Sequence, residues 1–331
     1  MSVKTEVLKL LEGNRDKDLS GQEIAGRLGV TRAAVWKAVK ALKEQGYRVD
    51  AANNRGYRLC DDNDVISAEG ICLTLKEEYR QREICVCRCV DSTNQEVKRR
   101  ALEGAGEGLV VLSEEQTAGK GRKGRSFFSP VGTGIYMSVL FRPAEEQSKD
   151  VVLVTTAASV AVCRAIRKVL GEEPEIKWVN DVYLRGKKIC GILTEAVSDF
   201  ESGRIDTVVV GIGINYRIPE GGYPEELNDI IGAVCTQDQV VPRNTLVASV
   251  LNELYGLYEG LSQRTYMEDY RKWSNVIGKE VRYSTGAGYN DQAAWEYATA
   301  LDIDEDGGLI VRLQNGEEKV LRTGEITLRT C

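Results

Sequence analysis

A chain of 331 residues with 42% hydrophobic and 28% charged residues has enough apolar material for more than one core, so two or three domains are expected. Its 50 acidic residues outnumber 44 basic ones, for a formal charge of −6, so any nucleic-acid contact must come from a local basic patch. The absence of histidine excludes Ser-His-Asp and Cys-His catalysis, and nine cysteines without a C-x-x-C pair point to free, mostly buried thiols, with neither zinc nor haem expected.

The opening "MSVKTEVLKLLEGNRD" carries charges where a signal peptide would be apolar. The longest apolar run, Val151 to Cys163, is too short to span a bilayer, so a cytoplasmic protein without membrane contact is expected. Val7, Leu8, Leu10 and Leu11 predict a short helix ending near Gly13. Ser20 and Glu23 stand at capping-box spacing before a second helix that Gly29 stops. Thr31 can cap a third, whose Val35, Val39 and Leu42 form a buried stripe. Two helices around a glycine turn, the second bearing Arg32, Trp36, Lys37, Lys40 and Lys43, spell a helix-turn-helix. "YRVDAANNRGYRL" reads as a hairpin whose tip carries Arg55, a basic wing. Thr31, Arg32, Trp36, Lys37, Lys40 and Arg55 are the candidate DNA-binding residues, the competing reading being a protein-interaction module with solvated lysines. Cys60 to Ser67 lacks periodicity and reads as a linker.

Beyond it strands and helices mix. "EICVCRCV", "GLVVLSEEQ" and "GIYMSVLF" read as strands, Asp91 to Glu103 as a helix, and "SKDVVLVTTAASVAVCRAIRKVLG", Ser148 to Gly171, as a long, largely buried helix with Gly171 as its stop. "EIKWVNDVYL", "KKICGILTEAV" and "DTVVVGIGINY" supply three further strands, and "TLVASVLNELYGLYEGL" an amphipathic helix. Hairpin-like strand succession predicts a mixed α/β domain, not strict βαβ alternation.

The stretch "GKGRKGRSFFSP", Gly119 to Pro130, satisfies G-x-G-x-x-G, but no helix can start within it because Pro130, Gly132 and Gly134 follow. A nicotinamide site is thereby excluded, as are a kinase glycine loop and a Walker loop. What remains is a glycine-rich loop with Lys120, Arg122, Lys123 and Arg125, suited to a phosphate or an oxyanion, or else a solvated turn. Lys177, Asn180 and Asp181 fall at the end of an apolar strand, where Asp181 can hold Mg²⁺ or a ligand amino group, or Asn180-Asp181 can be only a turn. Lys188 opens another strand beside Gly191, as a pocket cation or a surface lysine.

With these residues assembled, the chain resembles the biotin protein ligase and biotin operon repressor family. "DSTN", "EQTAGKGRKGR", "KWVNDVYL", "KKICGILTE" and "VVVGIGIN" occur in family order, and "DIDEDGGLIVRL" with "TGEITLR" is similar to the closing SH3-like barrel. The resemblance implies an α+β multidomain protein: a winged helix-turn-helix at 1–63, a class II synthetase-like catalytic domain at 68–272 and an SH3-like barrel at 276–331.

It also implies that biotin and Mg·ATP give biotinyl-5′-AMP, which then biotinylates a lysine on the carrier domain of acetyl-CoA carboxylase or another biotin carboxylase. The adenylate is expected to promote a homodimer that binds operator DNA. By the same resemblance Ser92, Thr93, Asn94 and Gln116 contact biotin, with Lys120, Gly121 and Arg122 on the carboxylate and phosphate. Lys188 stabilises the charge between them, so Arg122 and Lys188 are the catalytic candidates. Asn180, Asp181 and Asn215 serve the nucleotide and metal side, with Gly119, Gly124, Gly191, Gly211 and Gly213 as pocket glycines. The family commonly has arginine where Lys120 stands and proline where Val179 stands; an ammonium cannot grip an anion bidentately. A lipoate-type ligase and a catalytically inactive biotin-sensing regulator are the alternative readings.

Overall fold

The computed structural model describes residues 2–52, 56–60, 62–143, 151–198, 205–236, 241–284, 295–322 and 325–328. Contacts divide the chain into two units, Met1–Gln81 with Asp238–Ser249, and Arg82–Gln237 with Val250–Cys331.

In the first unit, hydroxyl caps start three helices. α1 (Val3–Glu12), α2 (Gly21–Leu28) and α3 (Arg32–Glu44) follow Ser2, Ser20 and Thr31, whose side-chain oxygens accept from the N–H groups of Thr5, Glu23 and Ala34. Gly29 ends α2 at φ 64°, a left-handed conformation that glycine adopts without a steric penalty. The expected stripe of Val35, Val39 and Leu42 joins Val7, Leu11 and Ile24 in one core. β1 (Val49–Ala52) and β2 (Gly56–Leu59) pair antiparallel as the expected wing. Arg55, at its tip, lies outside the described residues.

The segment read as a linker is anchored instead. Asn63 is buried and its Oδ1 accepts from Arg48 N–H, while Arg15 donates to Asn63 O. Arg243 and Asn244 then hold Asp64, Val65 and Ser67 up to the start of α4 (Ala68–Thr74). Composition misread this stretch because its partners lie between 15 and 179 positions away in sequence.

In the second unit a seven-stranded sheet has the order β3 (Ile84–Cys87), β4 (Val110–Ser113), β5 (Gly134–Phe141), β9 (Ile205–Asn215), β8 (Lys187–Ser198), β7 (Asp181–Leu184), β6 (Glu175–Lys177). The β3–β4 pair is parallel and all other neighbours are antiparallel, the hairpin-rich arrangement expected. α5 (Thr93–Leu102) packs on β4, β5 and β9, and α6 (Val151–Leu170) on β6 to β9. α7 (Glu225–Asn228), α8 (Arg243–Glu259) and α9 (Met267–Lys272) follow, the boundary between the units falling within α8. The chain closes with a five-stranded antiparallel sheet made of β10 (Glu280–Ser284), β11 (Glu296–Ile303), β12 (Leu309–Leu313), β13 (Glu318–Leu321) and β14 (Glu325–Leu328).

Two expectations are corrected here. "EIKWVNDVYL" is not one strand but a hairpin, β6 and β7, turning at Trp178–Asn180. Trp178 Nε1 donates to Gly307 O and Tyr270 OH donates to Val179 O, so the turn is pinned from outside without glycine or proline. The Trp178–Val179 peptide is cis. The cysteines are free but not mostly buried: of the eight described, only Cys163, Cys190 and Cys235 are. Cys85 and Cys87 do share a face, packing with Val97 of α5.

Candidate active site

Side chains alternate across a strand, so antiparallel register shows which residues share a face. Tyr136, Ser138 and Leu140 of β5 stand opposite Gly213, Gly211 and Val209 of β9, which stand opposite Gly191, Leu193 and Glu195 of β8. Three glycines thus cluster on one face and lower the floor of the sheet there. A Cβ on Gly213 would lie 2.5 Å from the Phe127 ring, and one on Gly211 would lie 2.2 Å from Asn94 Oδ1. The missing side chains let α5 and the loop 119–130 settle on the sheet, leaving a cavity of about 440 Å³, within the usual range for a small-molecule site.

The loop is folded by its own hydrogen bonds. Gly121 N–H donates to Arg125 O at 2.7 Å and Phe127 N–H to Gly119 O at 2.8 Å, while Lys123 and Gly124 take positive φ. A Cβ on Gly119 would sit 2.5 Å from Phe127 O. The N–H of Gly121 is therefore engaged inside the loop and not offered to an anion. The glycines fold the turn, and the charge comes from side chains.

One end of the cavity is ionic. Arg122 Nη1 donates to Asn180 Oδ1 at 2.9 Å, and Asn180 is held by Ile192 through Nδ2–H···O at 2.8 Å and N–H···O at 3.0 Å. A β-bulge between β7 and β8 brings Lys188 over Gly191. Lys188 Nζ lies 2.7 Å from Asp181 Oδ1, an ion pair in the cavity wall. Nearby Tyr183 is pushed up to about 12, first by burial and then by Asp181, so its phenol stays protonated at neutral pH.

The other end is lined by uncharged side chains, of which Ser92, Thr93 and Asn94 are buried. Ser92 starts α5 without a side-chain cap bond, so its hydroxyl is available to the cavity. Gln116 Oε1 accepts from Thr93 N–H at 2.8 Å, and Gln116 Nε2 donates to Ser129 Oγ at 2.9 Å.

The cavity thus gathers Ser92, Thr93, Asn94, Gln116, Lys120, Gly121, Arg122, Asn180, Asp181, Lys188, Gly191, Gly211 and Gly213. It does not gather Gly119, Gly124 or Asn215: the two glycines shape the loop, and Asn215 is buried at the end of β9. Phe127, Tyr136, Arg282 and Trp295 also line it and had not been expected. Phe127 stood inside the quoted loop, but Arg282, whose guanidinium carbon lies 4.5 Å from the Trp295 ring centroid, belongs to the C-terminal sheet region and had no local signal. Asp181 is the one carboxylate among the described lining residues, and no described group of three or more Cys, Asp or Glu could cage a metal. One carboxylate fits Mg²⁺ only when phosphate oxygens complete its shell.

In the first unit, Arg32, Trp36, Lys40 and Lys43 line a groove between α3 and the wing, with Trp36 55% exposed. Lys37 is exposed outside the groove lining, and the Thr31 hydroxyl serves as the helix cap.

Comparisons with known proteins agree with both regions. Residues 4–58 match the HTH domain model, 86–215 the Biotin/lipoate A/B protein ligase family and 276–329 the Biotin protein ligase C terminal domain. The fold is similar to the biotin protein ligase from Aquifex aeolicus solved in complex with biotin and ATP, with a TM-score of 0.63 and 25% identity over 75% of this chain and 99% of that one. The chain is 29% identical to the bifunctional ligase/repressor BirA of Escherichia coli, over 94% of this chain and 93% of that protein. Against the BirA of Bacillus spizizenii identity is 32%, over 96% of this chain and 97% of that protein. With a helix-turn-helix, a polar cavity on a mixed sheet and a C-terminal sheet in the same order along nearly the whole length, the chain belongs to the bifunctional ligase/repressor BirA family.

Proposed function

We propose that the chain activates biotin with ATP to biotinyl-5′-AMP, transfers biotin to a carrier-domain lysine, and represses transcription from operator DNA. The observation that carries this reading is the two-ended cavity, whose neutral end suits an uncharged ring and whose ionic end holds Arg122, Lys188 and Asp181. A carboxylate and a triphosphate repel one another, so fixed cations both bring them together and stabilise the charge that builds in the transition state. Arg122, oriented by Asn180, and Lys120 hold the carboxylate and α-phosphate. Lys188 leaves Asp181 for the developing charge, and Asp181 is the residue that would hold Mg²⁺, which would supply further neutralisation of phosphate charge. A carboxylate nucleophile needs no general base, which suits a chain without histidine. Ser92, Thr93 and Gln116 meet the ring, and Gly191, Gly211 and Gly213 give it room.

The groove of Arg32, Trp36, Lys40 and Lys43 meets DNA, with Lys37 and Arg55 adding phosphate contacts. We assign this to a domain at 1–63, catalysis to 68–272 and a closing domain to 276–331. The adenylate-bound chain pairs with a second copy on the operator. The carrier is a biotin-dependent carboxylase, as the name of a Mycobacterium tuberculosis relative, biotin--[acetyl-CoA-carboxylase] ligase, suggests. We assign the protein to the cytoplasm, where the carrier and the operator would be met. No described helix is long and apolar enough to cross a membrane.

ATP–pyrophosphate exchange with biotin or lipoate as co-substrate tests the reading. Exchange with biotin is expected. Exchange with lipoate alone would replace biotin by lipoate, and tight biotin binding without exchange would leave only a sensor.

A further inference from the structure

Glu195 is outside the cavity lining, yet it faces inward from β8 on the same side of the sheet as the cavity floor. Each of its oxygens has one donor: Lys98 Nζ at 2.7 Å on Oε1 and Asn94 Nδ2 at 2.7 Å on Oε2. Partial burial raises the Glu195 carboxyl, but the bonds from Lys98 and Asn94 outweigh it and hold the group below its ordinary value. At neutral pH Glu195 can therefore only accept hydrogen bonds.

That restriction propagates. An acceptor at Glu195 requires the Asn94 amide to turn its nitrogen outward, where its second hydrogen reaches Leu193 O at 3.2 Å. Asn94 Oδ1 then faces Ser138 Oγ at 2.6 Å, and Ser138 must donate to it. Ser138 Oγ is placed to donate to Thr93 Oγ1 as well, 2.7 Å away, but it has one proton; with that proton on Asn94 Oδ1 it can only accept from Thr93. The Thr93 proton goes to Ser138, or to Gln116 Oε1 at 3.1 Å. Either way it is used inside the wall, and Thr93 Oγ1 presents only lone pairs to the cavity. With Asn94 reversed, Ser138 would point its proton at Thr93, and the Thr93 proton would be left for a ligand acceptor to take in competition with Gln116 Oε1. Asn94, Thr93 and Ser138 are all nearly or fully buried, so water does not scramble this order.

We propose that Glu195 is a positioning residue for ligand recognition, holding Asn94 so that Thr93 accepts from a ring N–H, as a cyclic urea offers. The proposal rests on the biotin reading above and deepens it: the wall selects a donor ring through Glu195, which lies outside the cavity lining.

The test combines calorimetric binding of biotin with exchange kinetics on the full chain, for wild type, Glu195→Gln, Ser138→Ala and the double variant. A biotin analogue in which one ring N–H is replaced by oxygen, a cyclic carbamate, is the second ligand. Glu195→Gln lets Asn94 reverse, so biotin affinity is expected to fall about 10-fold, with kcat within about twofold of wild type. The preference for biotin over the carbamate narrows with it. Because Glu195 acts through Ser138, adding Glu195→Gln to Ser138→Ala should weaken binding no further. Unchanged affinity in Glu195→Gln, equal loss for biotin and carbamate, or additive effects in the double variant would overturn the proposal. Should Glu195→Gln not fold, Ser138→Ala alone must still narrow the preference, and an unaltered preference there refutes the relay. Wild type that binds no biotin would instead sink the proposed function.

Discussion

Cations serve two regions of this protein in opposite surroundings. On α3, Arg32, Lys37 and Lys40 stand in solvent; the Lys40 side chain is 61% exposed, with Glu44 at 4.0 Å and the Trp36 ring at 5.7 Å. In the cavity, Lys188 is 25% exposed and faces Asp181, and Arg122 is aimed by Asn180. A solvated lysine contributes charge to a diffuse field that salt screens, whereas a half-buried, oriented one acts at a point where screening is weak. The same residue type is therefore suited to attracting a polyanion on α3 and to stabilising one transition state in the cavity.

The largest expected effect tests the cavity side. Lys188→Ala should slow biotin-dependent exchange by about 100- to 1,000-fold while changing biotin affinity little, the pattern of a group that acts in the transition state. Equal losses in both would make Lys188 a binding residue and erase the contrast. Next comes salt. If four cations of the groove and wing meet phosphates, raising salt from about 50 to 200 mM should weaken DNA binding on the order of 100-fold. Exchange by the same preparation should change by less than about twofold over that range. A matching decline in exchange would show that the cavity cations are screened after all.

A smaller effect concerns packing. Gly213→Ala puts a methyl 2.5 Å from the Phe127 ring, which should cost about 1–3 kcal/mol through displacement of the loop, read as weaker biotin binding. Phe127→Leu in the same chain should recover part of it, and no recovery would mean that the glycine is needed for another reason. The smallest is Thr31→Ala, which removes the α3 cap and should destabilise the first unit by about 1 kcal/mol in chemical denaturation. Exchange activity should not change, because no cavity residue depends on that cap.

How legible each region was in the sequence follows from how local its causes are. The helix-turn-helix could be read to within a residue or so because Ser20, Thr31 and Gly29 act on their own neighbours. The hairpin at Trp178–Asn180 could not, since Trp178 and Tyr270 pin it through Gly307 O and Val179 O rather than through turn residues. The glycine loop was recognisable as unusual, yet its glycines turned out to serve its own fold. Gly211 and Gly213 looked like pocket residues from their motif, but the reason is the register that places Gly191, Gly211 and Gly213 together on one face.

Sequence alone determined the order of elements, the caps, the missing histidine and the residue types able to handle anions, because these depend on composition and on spacings of a few residues. Tertiary structure decided which of those residues meet. Strand register brought Glu195 to Asn94, 101 positions away, and a bulge set Lys188 against Asp181. It also brought Arg282 and Trp295 into the cavity wall. A hydrogen bond acts over about 3 Å, and only the folded chain brings such distant residues within that range.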